Sequence, residues 1–149
     1  MAFHIRELSA SEANAIVAPL YSLEGNGIGI RDTDLFFAGF LGEELEGSVR
    51  FCVEQETPML RTMRVARKFH GQGYGGLILK HFESYLEPEG VEKTYCLPYA
   101  HLENFYGQIG FQVVEKEEAP AFLQERLKEY RQRPESFLCM CRRSFTPRK

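Results

Sequence analysis

The chain predicts an α/β (α+β) fold: a mixed, mostly antiparallel twisted sheet with one central parallel strand pair, flanked by helices. Apolar runs at Leu35 to Leu41, Leu45 to Glu54 and Met59 to Val65 are separated only by the acidic turns Gly42-Glu43-Glu44 and Gln55-Glu56-Thr57-Pro58. Connections that short join antiparallel neighbours. A helix from Gly75 to Leu86 then leads into a strand from Val91 to Tyr99, and a strand, crossover helix and strand in that order make the two strands parallel. At 149 residues and 44% hydrophobic content, the chain suits a single domain over 1–149 with a substantial core.

The elements follow in order. Phe3 to Leu8 reads as a strand, and Ser9-Ala10-Ser11-Glu12 caps an amphipathic helix through about Tyr21 that buries Ile16, Val17 and Leu20. Glu24 to Gly29 is glycine-rich but lacks a strand-to-helix switch, so it reads as a connection over the substrate site rather than a phosphate cradle. The helix from Gly75 aligns Ile78, Phe82 and Tyr85 on one face and stops at Pro88 and Gly90. His101 to Gln108 is a short helix and Phe111 to Val114 a strand. Ala119 to Tyr130 is helical by its proline placement and by Phe122, Leu123, Leu127 and Tyr130. Ser136 to Arg143 is the last strand.

Composition excludes several classes. No apolar run reaches the ~20 residues that cross a bilayer, and the N-terminus lacks a signal segment, so a cytoplasmic location and no membrane partner are expected. A net charge of −3 gives no general attraction to nucleic acid. The basic residues Arg142, Arg143, Arg148 and Lys149 read as a solvated terminus. Cys52, Cys96, Cys139 and Cys141 lie in apolar strand-like segments, as buried thiols do. Cys139 and Cys141 share a strand face, but no Cys-x-x-Cys or paired-histidine spacing accompanies them, and no metal is expected.

The chemistry concentrates between Met63 and Leu79, where an extended run breaks into four glycines within six residues and restarts as a helix. Glycines at alternate positions let successive N–H groups turn toward one anion, and the helix adds its unpaired first amides and positive dipole end. A pyrophosphate is the natural guest. A nucleotide P-loop would need Lys-Ser/Thr after its last glycine, whereas Leu77 and Ile78 follow Gly76. Gly71, Gly73 and Gly76 match a dinucleotide fingerprint, with Glu92 near the ribose-binding position. Only 73 residues follow Gly76, too few for the remaining parallel sheet of that fold.

His70-Gly71-Gln72-Gly73-Tyr74-Gly75 after Val65, and Phe105-Tyr106-Gly107-Gln108-Ile109-Gly110-Phe111 about thirty residues on, together resemble the GNAT superfamily of N-acetyltransferases. That family's loop reads Arg/Gln-x-x-Gly-x-Gly/Ala, and its later motif reads Phe/Leu-Tyr-x-x-x-Gly-Phe. The resemblance runs from about Pro58 to Phe111. It implies acetyl-CoA as cosubstrate, with the pantetheine inserted like an extra strand where the parallel pair splays apart. The cofactor-binding positions it implies are Met63, Val65, Arg67, His70, Gly71, Gln72, Gly73, Tyr74, Gly75, Gly76 and Asn104. His70 stands where the family usually has Arg or Gln, with Arg67 and Lys68 as nearby compensating charges. Pro98 suits the splay, because proline cannot donate a ladder bond, and equally suits an ordinary strand end. GNAT chains commonly close with a β-hairpin, so the helix at 119–130 is a departure that either shapes the acceptor pocket or covers a sheet edge.

Tyr106 is the catalytic candidate: a phenol is protonated at neutral pH and can donate to a thiolate leaving group. Its neighbours Phe105 and Phe111 alone would make it a packed aromatic. The carboxylate that many GNAT enzymes carry on the strand entering the loop is missing from Leu60 to Val65, leaving Glu54, Glu56, His101 and Glu103 as substitute bases or a water in that role. Arg61 and Arg64 suit an anionic substrate or serve as surface strand arginines. The implied function is transfer of acetyl from acetyl-CoA to a primary amine of a small molecule or peptide by direct attack in a ternary complex. The alternative is a non-catalytic acyl-CoA-binding sensor or interaction domain. Whether the chain forms a homodimer is left open.

Overall fold

The structure is a computed structural model that describes residues 2–17 and 29–144. The end of the predicted first helix, with Leu20 and Tyr21, the loop from Glu24 to Ile28, and the terminal Arg148 and Lys149 lie outside the described residues. Among these residues the strands are β1 (Phe3–Ser9), β2 (Leu35–Leu41), β3 (Glu44–Glu54), β4 (Thr57–Val65), β5 (Lys93–Cys96), β6 (Phe111–Val113) and β7 (Met140–Arg143). The helices are α1 (Ala10–Ile16), α2 (Tyr74–Leu86), α3 (Glu103–Gly107) and α4 (Ala121–Tyr130). One seven-stranded sheet runs β1-β2-β3-β4-β5-β7-β6. Every neighbouring pair is antiparallel except β4 and β5, which are parallel, as the crossover predicts.

Sequence periodicity sets the layers. β2 is apolar on both sides because it is covered on both faces: Phe36, Ala38 and Phe40 meet α1 residues, while Phe37 meets Ile78, Phe82 and Leu86 of α2. Tyr106, Ile109 and Phe111 extend the α2 layer. The opposite face carries α1 over β1 and β2, and α4 over Cys52, Met59, Tyr95, Cys139 and Cys141. Thus α4 covers a sheet face rather than an edge. At the start of α1, Ser9 accepts from the Glu12 amide, and Glu12 accepts from the Ser9 amide, the reciprocal cap that the sequence predicts. Deep in the sheet, Arg142 donates to the Ile109 carbonyl at 2.7 Å and pairs with Glu83 and Glu87, tying β7 to α2.

Several boundaries differ from the sequence expectation for local reasons. The β3–β4 turn is only Gln55-Glu56, both at positive φ (47° and 64°), so β4 starts at Thr57 and Pro58 pairs with Val53. A two-residue turn with both φ values positive matches the strand twist. The strand expected over Val91 to Tyr99 is regular only over Lys93–Cys96, and the one expected from Ser136 begins at Met140. Beyond those points the two segments still touch, with the Leu138 amide donating to the Pro98 carbonyl and Tyr99 bridging Phe137. The helix expected over His101 to Gln108 divides into a 3-10 turn at Ala100–Leu102 followed by α3.

Candidate active site

The parallel pair makes a single register contact, Met59 with Tyr95. Past it, β4 continues to Val65, while the chain after β5 follows the segment leading into β7. A wedge therefore opens between the two strands. β4 is also bulged there. Ser48 faces Arg64 and Arg50 faces Arg61, so β4 carries one extra residue, and Thr62 takes a φ of 47°. Bulges redirect side chains and main-chain groups next to active sites, and a β-branched residue at positive φ is a strained one.

On the α2 side of the wedge lies a cavity of about 640 Å³, bounded by Met63, Val65, Gly73, Gly75, Phe105 and Tyr106. Its floor is the glycine loop. Gly73, with φ 83° and ψ 2°, is the residue before α2, and the first helical bond runs from the Leu77 amide to the Gly73 carbonyl. The amides of Tyr74, Gly75 and Gly76 therefore precede the helical ladder and suit an anion. Gly75 lets α2 approach β4 and α3 closely: a Cβ there would lie 3.3 Å from Val65 Cγ2 and 3.4 Å from Phe105 Cζ.

Of the cofactor-binding positions named from the sequence, Met63, Val65, His70, Gly71, Gly73, Tyr74, Gly75 and Gly76 line this cavity. Arg67, Gln72 and Asn104 line neither this cavity nor the one on the α4 side of the wedge. The Gln72 side chain turns back to the Lys68 carbonyl at 3.4 Å. His70 is engaged through Nε2, 2.7 Å from the Val65 carbonyl, a contact in which the ring nitrogen donates. It fastens the loop to the end of β4. Lys68 pairs with Glu44.

The α4 side of the wedge holds a second cavity of about 250 Å³. The two cavities share Met63, Arg64, Tyr99, Leu102 and Tyr106. Tyr106 is buried, with its ring edge-on to Phe105 (centroids 5.1 Å apart) and Phe111 (6.1 Å). Packing thus fixes the ring where the two cavities meet. Residues lining the second cavity that sequence reasoning did not assign to the site include Arg126, Tyr130, Arg133 and Phe137. Arg126 and Tyr130 lie one turn apart on α4, while Arg133 sits just past its end, so no single helical spacing marks the three.

Among the base candidates, His101 lines the first cavity, and Glu54, Glu56 and Glu103 line neither. Glu54 is instead clamped by Arg61 at 3.0 Å and Arg126 at 2.9 Å. Burial pushes its carboxyl up, but the Arg126 hydrogen bond and the charges of Arg61, Arg126 and Arg31 outweigh burial and hold it below the ordinary 4.5. A lowered carboxyl pKa adds stability above the unfolded value, and this is lost as pH falls through the folded value. The stability advantage of the wild type over Glu54→Gln should therefore be widest near neutrality and close on acidification below 4.5. Denaturation across that range checks it, and a gap independent of pH would contradict the clamp.

The four cysteines are free and buried. Burial, then the neighbouring Cys141, raises Cys139 to about 11, so it is a neutral thiol at physiological pH. Among the described residues, no three His, Cys, Asp or Glu side chains gather as a metal site, and no helix is long and apolar enough to cross a membrane.

A family model described as the Acetyltransferase (GNAT) family matches residues 5–111. No curated protein matches the chain significantly. Among solved structures, the ribosomal-protein-S18-alanine N-acetyltransferase from Escherichia coli is similar at 15% identity and a TM-score of 0.73, with 99% of this chain and 98% of that one covered. A putative N-acetyltransferase from Lactobacillus plantarum is similar at 16% identity and a TM-score of 0.69, with 96% and 99% covered. The N-acetylglutamate synthase from Neisseria gonorrhoeae, complexed with coenzyme A and N-acetyl-glutamate, is similar at 18% identity and a TM-score of 0.67 over 98% of this chain. The chain spans only 36% of that synthase. At such identities the likeness is one of fold: the mixed sheet with a single parallel pair. With the family model covering most of its length, the chain belongs to the GNAT acetyltransferase family and is a GNAT-type acyltransferase.

Proposed function

We propose that this protein transfers the acetyl group of acetyl-CoA to a primary amine of a small molecule or peptide, by direct attack within a ternary complex. The observation that carries this reading is the meeting of two cavities at Tyr106 across the β4–β5 wedge. One has a main-chain anion cradle at its floor, and the other opens on the opposite sheet face. The amides of Tyr74, Gly75 and Gly76 take the pyrophosphate. The edge of β4 past Met59, which has no β5 register partner, takes the pantetheine arm.

This arrangement holds the thioester at the junction, and an amine entering from the α4 side reaches it without a covalent enzyme intermediate. Fixing the two reactants together supplies much of the rate advantage. The amine must first lose its ammonium proton to solvent water. Its nitrogen then bonds to the carbonyl carbon, the C–S bond breaks, and a second proton leaves the nitrogen for water. The Tyr106 hydroxyl donates a proton to the departing sulfur and is reprotonated from solvent. A panel of amines and peptides incubated with acetyl-CoA should give acceptor-dependent thiol release with one N-acetyl product per thiol. If CoA binds yet no acceptor releases thiol, the protein is a sensor of the cosubstrate.

A further inference from the structure

The smaller cavity is lined by Arg61, Arg64, Arg126 and Arg133 and by no aspartate or glutamate. Glu54, from outside the lining, holds Arg61 and Arg126 in place. Arg133 is held differently. Its guanidinium carbon lies 4.4 Å from the Tyr130 ring centroid and 5.7 Å from that of Phe137. No ion pair joins it to an acidic side chain among the described residues. Its amide donates to the Tyr130 carbonyl at 2.9 Å, which anchors the backbone just past α4. A guanidinium stacked on rings keeps its N–H edge available, and that edge matches a planar oxyanion.

We propose that the acceptor is a small amine that also carries an oxyanion, a carboxylate or a phosphonate, received by Arg133. The assignment rests on the acetyl-transfer reading above. It follows from what the cavity attracts and what it repels. At about 250 Å³ it is below the range of roughly 300–1,000 Å³ typical of sites for drug-sized ligands, which suits a molecule of amino-acid size. An acceptor arrives as an ammonium, and a cavity walled by arginines repels a polyamine or a lysine-rich peptide. An acid on the same molecule reverses that bias, so the walls select by rejection as well as by attraction. The acid seated against Arg133 leaves the amine directed toward the Tyr106 end of the cavity.

The test compares amino acids, their carboxamides, the corresponding decarboxylated amines and the matching aminophosphonates as acceptors. The acids should exceed amides and plain amines in kcat/KM by at least about tenfold, as expected for hydrogen bonds to a charged group. The ranking of carboxylates against phosphonates identifies the oxyanion. Arg133→Gln should lower kcat/KM for the acids by about 10- to 100-fold through KM, leave CoA affinity unchanged, and spare the neutral acceptors. Equal use of acids and amides, or an equal loss for all acceptors in Arg133→Gln, overturns the proposal. A second readout does not need turnover: calorimetric binding of N-acetyl amino acids to the CoA-loaded protein. Acid-selective binding lost in Arg133→Gln supports the oxyanion site even if no amine is acetylated, a result that would count against acetyl transfer alone. Equal binding of the N-acetyl acid and its amide overturns the site.

Discussion

Replacing Gly73 with valine is expected to raise the Kd for CoA by on the order of 100-fold while leaving the protein folded. Two effects add. Gly73 sits at φ 83°, where an L-residue costs roughly 1–2 kcal/mol, more for a β-branched one. The isopropyl group also enters open space: a Cβ at Gly73 would meet no protein atom within 4 Å, and Gly73 lines the larger cavity, so the added bulk is expected to obstruct the ligand rather than the core. Since about 1.4 kcal/mol is tenfold in affinity, strain that shifts the loop amides and occlusion of a phosphate together reach the expected size. Gly73→Ala should show a smaller loss. Calorimetry with CoA measures both, and an unchanged Kd in Gly73→Val would remove the pyrophosphate from this loop.

Tyr106→Phe should lower the single-turnover rate of acetyl transfer by about 10²–10⁴-fold, the usual cost of losing a general acid, with CoA affinity nearly intact. The variant keeps the ring and therefore its edge contacts with Phe105 and Phe111, so the change isolates the hydroxyl. In the steady state, kcat and kcat/KM should fall together, which marks an interaction made in the transition state. Single-turnover measurement matters because slow product release can conceal a chemical defect in kcat. An unaltered rate with a chemically limited acceptor would reduce Tyr106 to packing.

Much of the fold was legible because its signals are local. The apolar runs of β2 to β4, the short turns between them and the glycine-rich start of α2 each depend on neighbours in sequence, and the crossover alone dictates that β4 and β5 run parallel. The early end of β5 was not legible, since it depends on residues 97–99 turning to the segment before β7, some forty positions away. Nor was the bulge at Thr62. No glycine or proline marks it, and it exists only in the register between Ser48 and Arg64. The glycine-lined cavity follows from one continuous loop and one motif. The second cavity is lined from β4, from Arg126 and Tyr130 of α4 and from Arg133 just past it, and nothing in the sequence of that segment shows what it overlooks. The strand order decides that.

The single register contact between β4 and β5 also divides the molecule mechanically. On one side stand β1 to β4, on the other β5, β7 and β6, with α2 as the covalent strap and its ion pairs to Arg142 as a second fastening. On the function proposed above, an acyl donor received in the wedge raises the cohesion of the whole fold by mass action. The backbone ladder is thinnest where the wedge begins, and side-chain packing on both faces carries the sheet across that seam.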